Sequence, residues 1–505
     1  MYGFLILTVL GICGLISLAA SFVSPFIVGA GLALFLFGIF FVWLTLEHTV
    51  ASLSIVILSQ ILIPVYIRVP IPGIPSVPPP LMLLVAFIGI LVLKEMLKPE
   101  KIEMGEYGGI LTQSLLIYCG VLLFSILVGI SAPTALPMWI KAALIPMLLF
   151  FSLLRTVPDE KSLQLVFDVL LIAGVANGIL SIHEFFTHSN IMVDLFAPPI
   201  SKDEDFFLWY LIEGNRELGD LESEPYRVFS FFTQSLELSA FMIMLLPFAM
   251  LSFVNQTRLS RRLVYGLATL IIFAGFVVTF SRGPTLALII TIIILTIFEK
   301  RLRRWVATGA FCLLVGVVLA SPWIFSERLM NRLQGSDNVS LRFRLWENGF
   351  AIFQDNPIIG IGYGAYPAHH VESIRHNQIG PMYEYPWEHI ERVTTLENIY
   401  ITLAAETGLI GLTAFFFVLV VYFSIIRKIL QTTQSTQART LTLGSFGGVS
   451  AYLLSGLTVA NILLYTITTL FFGVFLASAV ILSRGIKNPG AKYGKERSPG
   501  SVRVN

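Results

Sequence analysis

The chain has 505 residues, of which 56% are hydrophobic and 13% charged, with a formal net charge of +2 and a mean hydropathy of +0.82. So little polar surface cannot cover a core of that size in water, which excludes a water-soluble globular protein. The near-neutral balance gives no reason to expect nucleic acid. Cys13, Cys119 and Cys312 lie in apolar runs with neither ligand spacing nor a disulfide framework.

Apolar runs near the roughly 17–25 residues that cross a bilayer fall, in chain order, at 3–22, 26–46, 50–66, 79–97, 109–130, 137–154, 163–182, 235–254, 263–281, 283–299, 305–321, 400–426, 441–460 and 463–483. Continuous runs predict helices, not the alternating strands of a membrane barrel. The expected fold is all-α, a polytopic transmembrane helix bundle with about 12–14 spans. The first run has no Lys or Arg before it and reads as a retained helix, not a cleaved signal. The chain divides into N-terminal helices (1–182), a loop (183–234), central helices (235–321), a larger loop (322–396), C-terminal helices (397–486) and a tail (487–505) whose Gly, Pro, Ser and Lys read as disordered.

Basic residues give the orientation. They gather at Lys94–Lys101, Arg155–Lys161, Arg258–Arg262, Lys300–Arg304, Arg427–Arg439 and the tail, whereas the short connections on the other side hold only Arg68, Lys141 and Arg282. The positive-inside rule places both termini in the cytoplasm and both large loops outside.

The first loop is rich in acids, including Glu184, Glu224 and Asp203-Glu204-Asp205. These read as a solvated face, and the triplet lacks the alternating ligand spacing of a calcium loop, so no metal is expected. In the second loop Leu341, Leu345, Trp346, Phe350 and Phe353 fall on one helix face, and Asn356-Pro357 ends that helix. Gly360, Gly362 and Gly364 follow. No strand precedes them, so they read as a tight turn and not a nucleotide loop. Glu397-Asn398 then opens a helix carrying Glu406, Gly408 and Gly411. Upstream, Arg282 stands at the junction of two apolar runs, where a guanidinium either snorkels or meets an anion. Arg227 precedes the run at 235. The aromatics of the loops suit sugar stacking and an interfacial belt equally. His376-Asn377 is a decoy, since Gln378-Ile379-Gly380-Pro381 follows it in place of a helix.

Arg342 four residues before Trp346, Asn356-Pro357 with its glycine turn, and the acidic-Asn-x-Tyr start with Glu406, Gly408 and Gly411 together resemble the C-terminal signature of the O-antigen ligase and O-antigen polymerase family. Ser281-Arg282-Gly283 is similar to the family's second arginine motif. Arg227 matches the first in part, with Ser235-Leu236 where Pro-Asn often stands. The resemblance implies a GT-C-like membrane glycosyltransferase at the extracytoplasmic face of a bacterial cytoplasmic membrane. Its donor would be a polyprenyl-pyrophosphate-linked glycan and its acceptor a second glycan or lipid, with a chain-length regulator as a further partner.

Within that resemblance Arg227 and Arg282 hold the pyrophosphate leaving group through paired bonds. Arg342 and Asn398 bind substrate, and transfer inverts the anomeric carbon without cofactor or metal. Glu397 stands where ligase members usually carry His, and a carboxylate there can accept the acceptor's proton. It is expected beside Arg282, with Glu406 structural. That replacement makes polymerase the first reading, with ligase second. A solute transporter is the reading from another class, opposed by the near absence of charge inside the spans.

Overall fold

The structure, a computed structural model, describes residues 25–64, 66–67, 69–71, 74–99, 105–130, 132–196, 227–319, 337–376, 395–459 and 466–484. The first apolar run, the acidic triplet and the tail lie outside the described residues.

Every other apolar run coincides with a helix: α1 (Pro25–Glu47), α2 (Thr49–Leu62), α3 (Pro79–Leu97), α4 (Gly105–Val128), α5 (Ala132–Trp139) joined through a π-turn to α6 (Ile145–Thr156), α7 (Glu160–Thr187), α9 (Ser235–Asn255), α10 (Leu259–Val277), α11 (Arg282–Phe298), α12 (Lys300–Leu319), α15 (Ile399–Thr432), α16 (Thr436–Ser455) and α17 (Thr466–Ser483). A short α8 (Ile191–Phe196) follows α7, and the second loop holds α13 (Asp337–Asp355) and α14 (Tyr366–His376). Seven helices among the described residues are long and apolar enough to cross a membrane, and four more are apolar but shorter. The chain is a multi-pass membrane protein.

Two departures from the expected elements have local causes. The run expected at 50–66 stops at Leu62, because Pro64 drives Ile63 to extended backbone. The prolines that follow exclude a helix, and β1 (Val69–Ile71) pairs antiparallel with β2 (Ile74–Val77), Val69 opposite Val77. This hairpin is the exception to an all-α fold among the described residues.

α9 is the axis of the bundle, buried along nearly its whole length and packed on α10 and α16. Its neighbours reach it through small residues. On α16, Gly444, Gly447 and Gly448 share one face, and a Cβ built on Gly447 would lie 2.6 Å from Pro247 of α9. Close approach of this kind replaces the hydrophobic drive that lipid cannot supply between helices.

Connectivity gives the bundle two distinct ends. The start of α7, the end of α9 and the starts of α10 and α16 share one end, where the basic clusters lie. The end of α7, the start of α9, the end of α10 and the end of α16 share the other, where the family motifs lie.

Candidate active site

The glycine turn is built into a break in α15. Gly408 takes φ 60° and ψ −161°, which removes it from the helix. The backbone groups released on either side bond to the turn. Leu409 N and Ile410 N donate to Pro357 O and Ile358 O, at 2.9 and 3.2 Å, while Ala405 O and Glu406 O accept from Ile361 N and Gly362 N at 3.1 and 2.9 Å. Gly360 stands at φ +76°, and a Cβ on it would meet Glu406 C at 2.3 Å. The Glu406 carboxylate, 1% exposed, finishes the lock by accepting from Gly364 N at 2.9 Å and Tyr366 N at 3.0 Å. Burial pushes the Tyr363 and Tyr366 hydroxyls up, so both remain protonated.

This lock seats α13. Leu345, Asn348, Gly349 and Ile352 are its buried face. Asn348 Oδ1 accepts from Ser373 Oγ at 2.8 Å, and a Cβ on Gly349 would lie 2.6 Å from Ile401 of α15. The stripe expected from the apolar residues is therefore rotated. Phe350 is 56% exposed, because the true face runs through the polar Asn348 and the small Gly349. Helix α13 ends at Asp355, one residue before Asn356-Pro357.

One turn from Leu345, Arg342 places its Nε 2.6 Å from Glu397 Oε2. Both side chains are about a third exposed (30% and 33%), a setting in which an ion pair adds little to stability. Its geometric effect is to orient the carboxylate. Glu397 Oε1 makes no hydrogen bond among the described residues, and the backbone of Glu397 is left-handed at φ 49°. Trp346 Nε1 is buried and likewise makes no hydrogen bond. Asn398 caps α15: its Oδ1 accepts from Tyr400 N and Ile401 N, and its Nδ2 donates to Leu457 O at 2.9 Å.

The turn that follows α16 gathers two motifs. Ile399 N donates to Gly456 O at 2.8 Å, Asn398 binds Leu457, and a Cβ on Gly283 would meet Thr458 Oγ1 at 1.9 Å. The Glu397 segment and the Arg282 segment thus rest on three consecutive residues. Arg282 itself is exposed, at the first position of α11. The end of α7 gathers the two arginine segments. Glu184 accepts from Phe229 N at 3.2 Å and Ser230 N at 2.8 Å, and Phe185 packs on Phe280 with ring centroids 5.9 Å apart. Arg227 is half-buried just before that contact.

Residues 267–416 match a family model described as O-Antigen ligase. The chain carries an O-antigen ligase family domain. A search of curated proteins finds no match. The O-antigen ligase match takes in Arg282, Arg342, Glu397 and Asn398 and leaves out Arg227.

The O-antigen ligase signature named the arginines and Glu397, yet three features of the site escaped it. Glu397 is paired with Arg342, while its link to Arg282 runs through the end of α16. Glu184, read from sequence as part of a solvated acidic face, is fully buried; its spacing from Asn177 and Ser181, seven and three residues along α7, was the available signal. Third, the non-glycine residues with positive φ among the described residues are His188, Ser230, Phe280 and Glu397. All four lie at the motif end, and the last three are within three residues of Arg227, Arg282 or Glu397 itself. Such strain costs about 1–3 kcal/mol each and persists where surroundings enforce it, commonly at functional sites. No cluster of metal-ligating residues occurs among the described residues.

Proposed function

We propose that the chain is an enzyme of surface polysaccharide assembly that transfers a glycan from a polyprenyl-pyrophosphate donor to an acceptor hydroxyl. One observation carries this reading. The end of α16 holds the Arg282 and Glu397 segments together, each bent by a strained non-glycine residue. Arg227 and Arg282 hold the pyrophosphate, and Arg342 orients Glu397. Glu397 Oε1 accepts the proton of the acceptor hydroxyl as its oxygen attacks the anomeric carbon. The bond from that carbon to the phosphate oxygen breaks, the configuration inverts, and the electron pair leaves with the lipid pyrophosphate, whose charge the two guanidinium groups offset. Asn398, whose amide is engaged on both sides by backbone, acts by fixing the start of α15 rather than by touching substrate.

The acceptor is where the family description changes the balance. O-Antigen ligase favours transfer to a lipid acceptor over the polymerase reading. The feature of this chain that favours polymerisation is the Glu at position 397. Analysis of surface polysaccharide after deletion separates the two. Full-length polymer left on its carrier supports the ligase, single repeats on the carrier support the polymerase, and unchanged glycan with altered solute uptake would overturn both.

Orientation is part of the same proposal, with the motif end outside the cytoplasmic membrane. Cysteines placed at the exposed Glu372 and Gln434, in a background without native cysteine, should react oppositely with an impermeant thiol reagent in spheroplasts. Reaction at 434 alone would put the site on the wrong face.

A further inference from the structure

A cavity of about 960 Å³ opens at the basic end, between α7, α10, the end of α9 and the start of α16. A second, of about 640 Å³, adjoins it and shares Arg301 and Asn255 with it. Nothing in the transfer chemistry uses either.

The first cavity is amphipathic along its length. Its wall toward the middle of the bundle is Leu171, Val175, Leu267 and Ile271, and it lies open sideways, since Val264 and Leu267 are 66% and 60% exposed. At the other end of the cavity Arg261 and Arg301, both exposed, form a cationic rim. Lys300, Arg262 and Arg304 stand in the adjoining cavity, with Arg262 held over the rings of Phe253 and Trp305, 5.2 Å from each centroid. Among the described residues none of these cations makes an ion pair. The one carboxylate in the first wall, Asp168, is engaged by Tyr265 Oη at 2.8 Å and Gln164 Nε2 at 2.9 Å. Ser252 Oγ, buried in the same wall, has no hydrogen-bond partner.

Arg261 also acts through its charge on Asp168, yet neither rim arginine makes a direct ion pair among the described residues. A greasy channel open to the side that ends at a cationic rim and a buried hydroxyl matches an amphiphile with an anionic head. We propose that this cavity binds one anionic phospholipid of the leaflet at the basic end, its phosphate on Arg261 and Arg301 and an acyl chain between α7 and α10. The bland account is that these cations mark orientation and attract anionic lipid only diffusely. Position separates the two, because a diffuse field depends on total charge and a site depends on which arginine is removed.

The test is electron spin resonance of the full-length protein in bilayers, comparing spin-labelled phosphatidylglycerol with spin-labelled phosphatidylcholine. Arg261→Ala with Arg301→Ala should weaken the preference for phosphatidylglycerol about tenfold to a hundredfold, the loss of charge-assisted bonds. Arg303→Ala with Arg427→Ala removes the same charge from the same end, outside both cavities, and should leave the preference intact. Leu267→Trp fills the channel at an exposed position and should weaken binding with the cations still present. Equal loss in the two double variants, no loss with Leu267→Trp, or displacement by millimolar inorganic phosphate would each overturn the proposal, the last by making the site one for a free anion.

Discussion

Glu397 and Glu406 belong to the same motif and to opposite kinds of chemistry. Glu406 is sealed from solvent, and each carboxylate oxygen accepts a backbone N–H of the glycine turn. Glu397 is a third exposed, has one oxygen on Arg342 and the other without a hydrogen bond among the described residues, and sits on left-handed backbone. A buried carboxylate whose partners are all backbone is a clamp, and its removal leaves N–H groups unsatisfied. A half-exposed carboxylate with one oxygen held and one available is placed for a proton.

The largest effect should come from Glu397→Gln, which preserves shape and removes the base. Transfer should fall about 10²- to 10⁴-fold in a membrane-based assay, with helix content and expression unchanged. Next in size is Arg282. Arg282→Ala should slow transfer roughly tenfold to a hundredfold, and Arg282→Lys should recover only part of it, because an ammonium lacks the planar fork. Full activity in Arg282→Ala would reduce this residue to a snorkelling helix end.

Glu406→Gln addresses the other side of the contrast. One of its two oxygens becomes an amide that cannot accept, so stability should drop by about 1–3 kcal/mol, read as a lower midpoint in thermal unfolding. Transfer per folded molecule should stay near wild type. A loss of turnover at full stability would give Glu406 a chemical role and erase the distinction. The smallest effect on stability belongs to Glu397→Gly, where a residue at ease with positive φ replaces one that is not. Its unfolding midpoint should hold or rise, by no more than about 1–2 kcal/mol equivalent, although transfer is lost.

Much of the fold could be read in the sequence because lipid imposes long apolar runs, and proline and Asn-Pro mark where they stop. The end of α13 and the start of α15 at Asn398 followed from those local rules. What stayed hidden rests on tertiary partners. Gly408 gives no local sign that its helix is broken, because the break is stabilised by Pro357, Ile358, Ile361 and Gly362, some fifty residues earlier. The left-handed residues Ser230, Phe280 and Glu397 were invisible for the reason that makes them informative: propensity would place glycine there. Phe350 misled because an apolar side chain at a membrane surface need not face the core, whereas Asn348 does once Ser373 and Tyr366 satisfy it. Glu397 and Arg342 were both legible as site residues, but their pairing was not, since it depends on how α13 lies across α15.

The most direct measurement is equilibrium binding of a labelled polyprenyl-pyrophosphate glycan alongside its single-turnover transfer rate, made on purified wild type, Glu397→Gln and Arg282→Ala in bilayers. The account predicts that Glu397→Gln binds donor as wild type does and transfers it at least about a hundredfold more slowly, whereas Arg282→Ala loses donor affinity. Transfer by Glu397→Gln at the wild-type rate would contradict it.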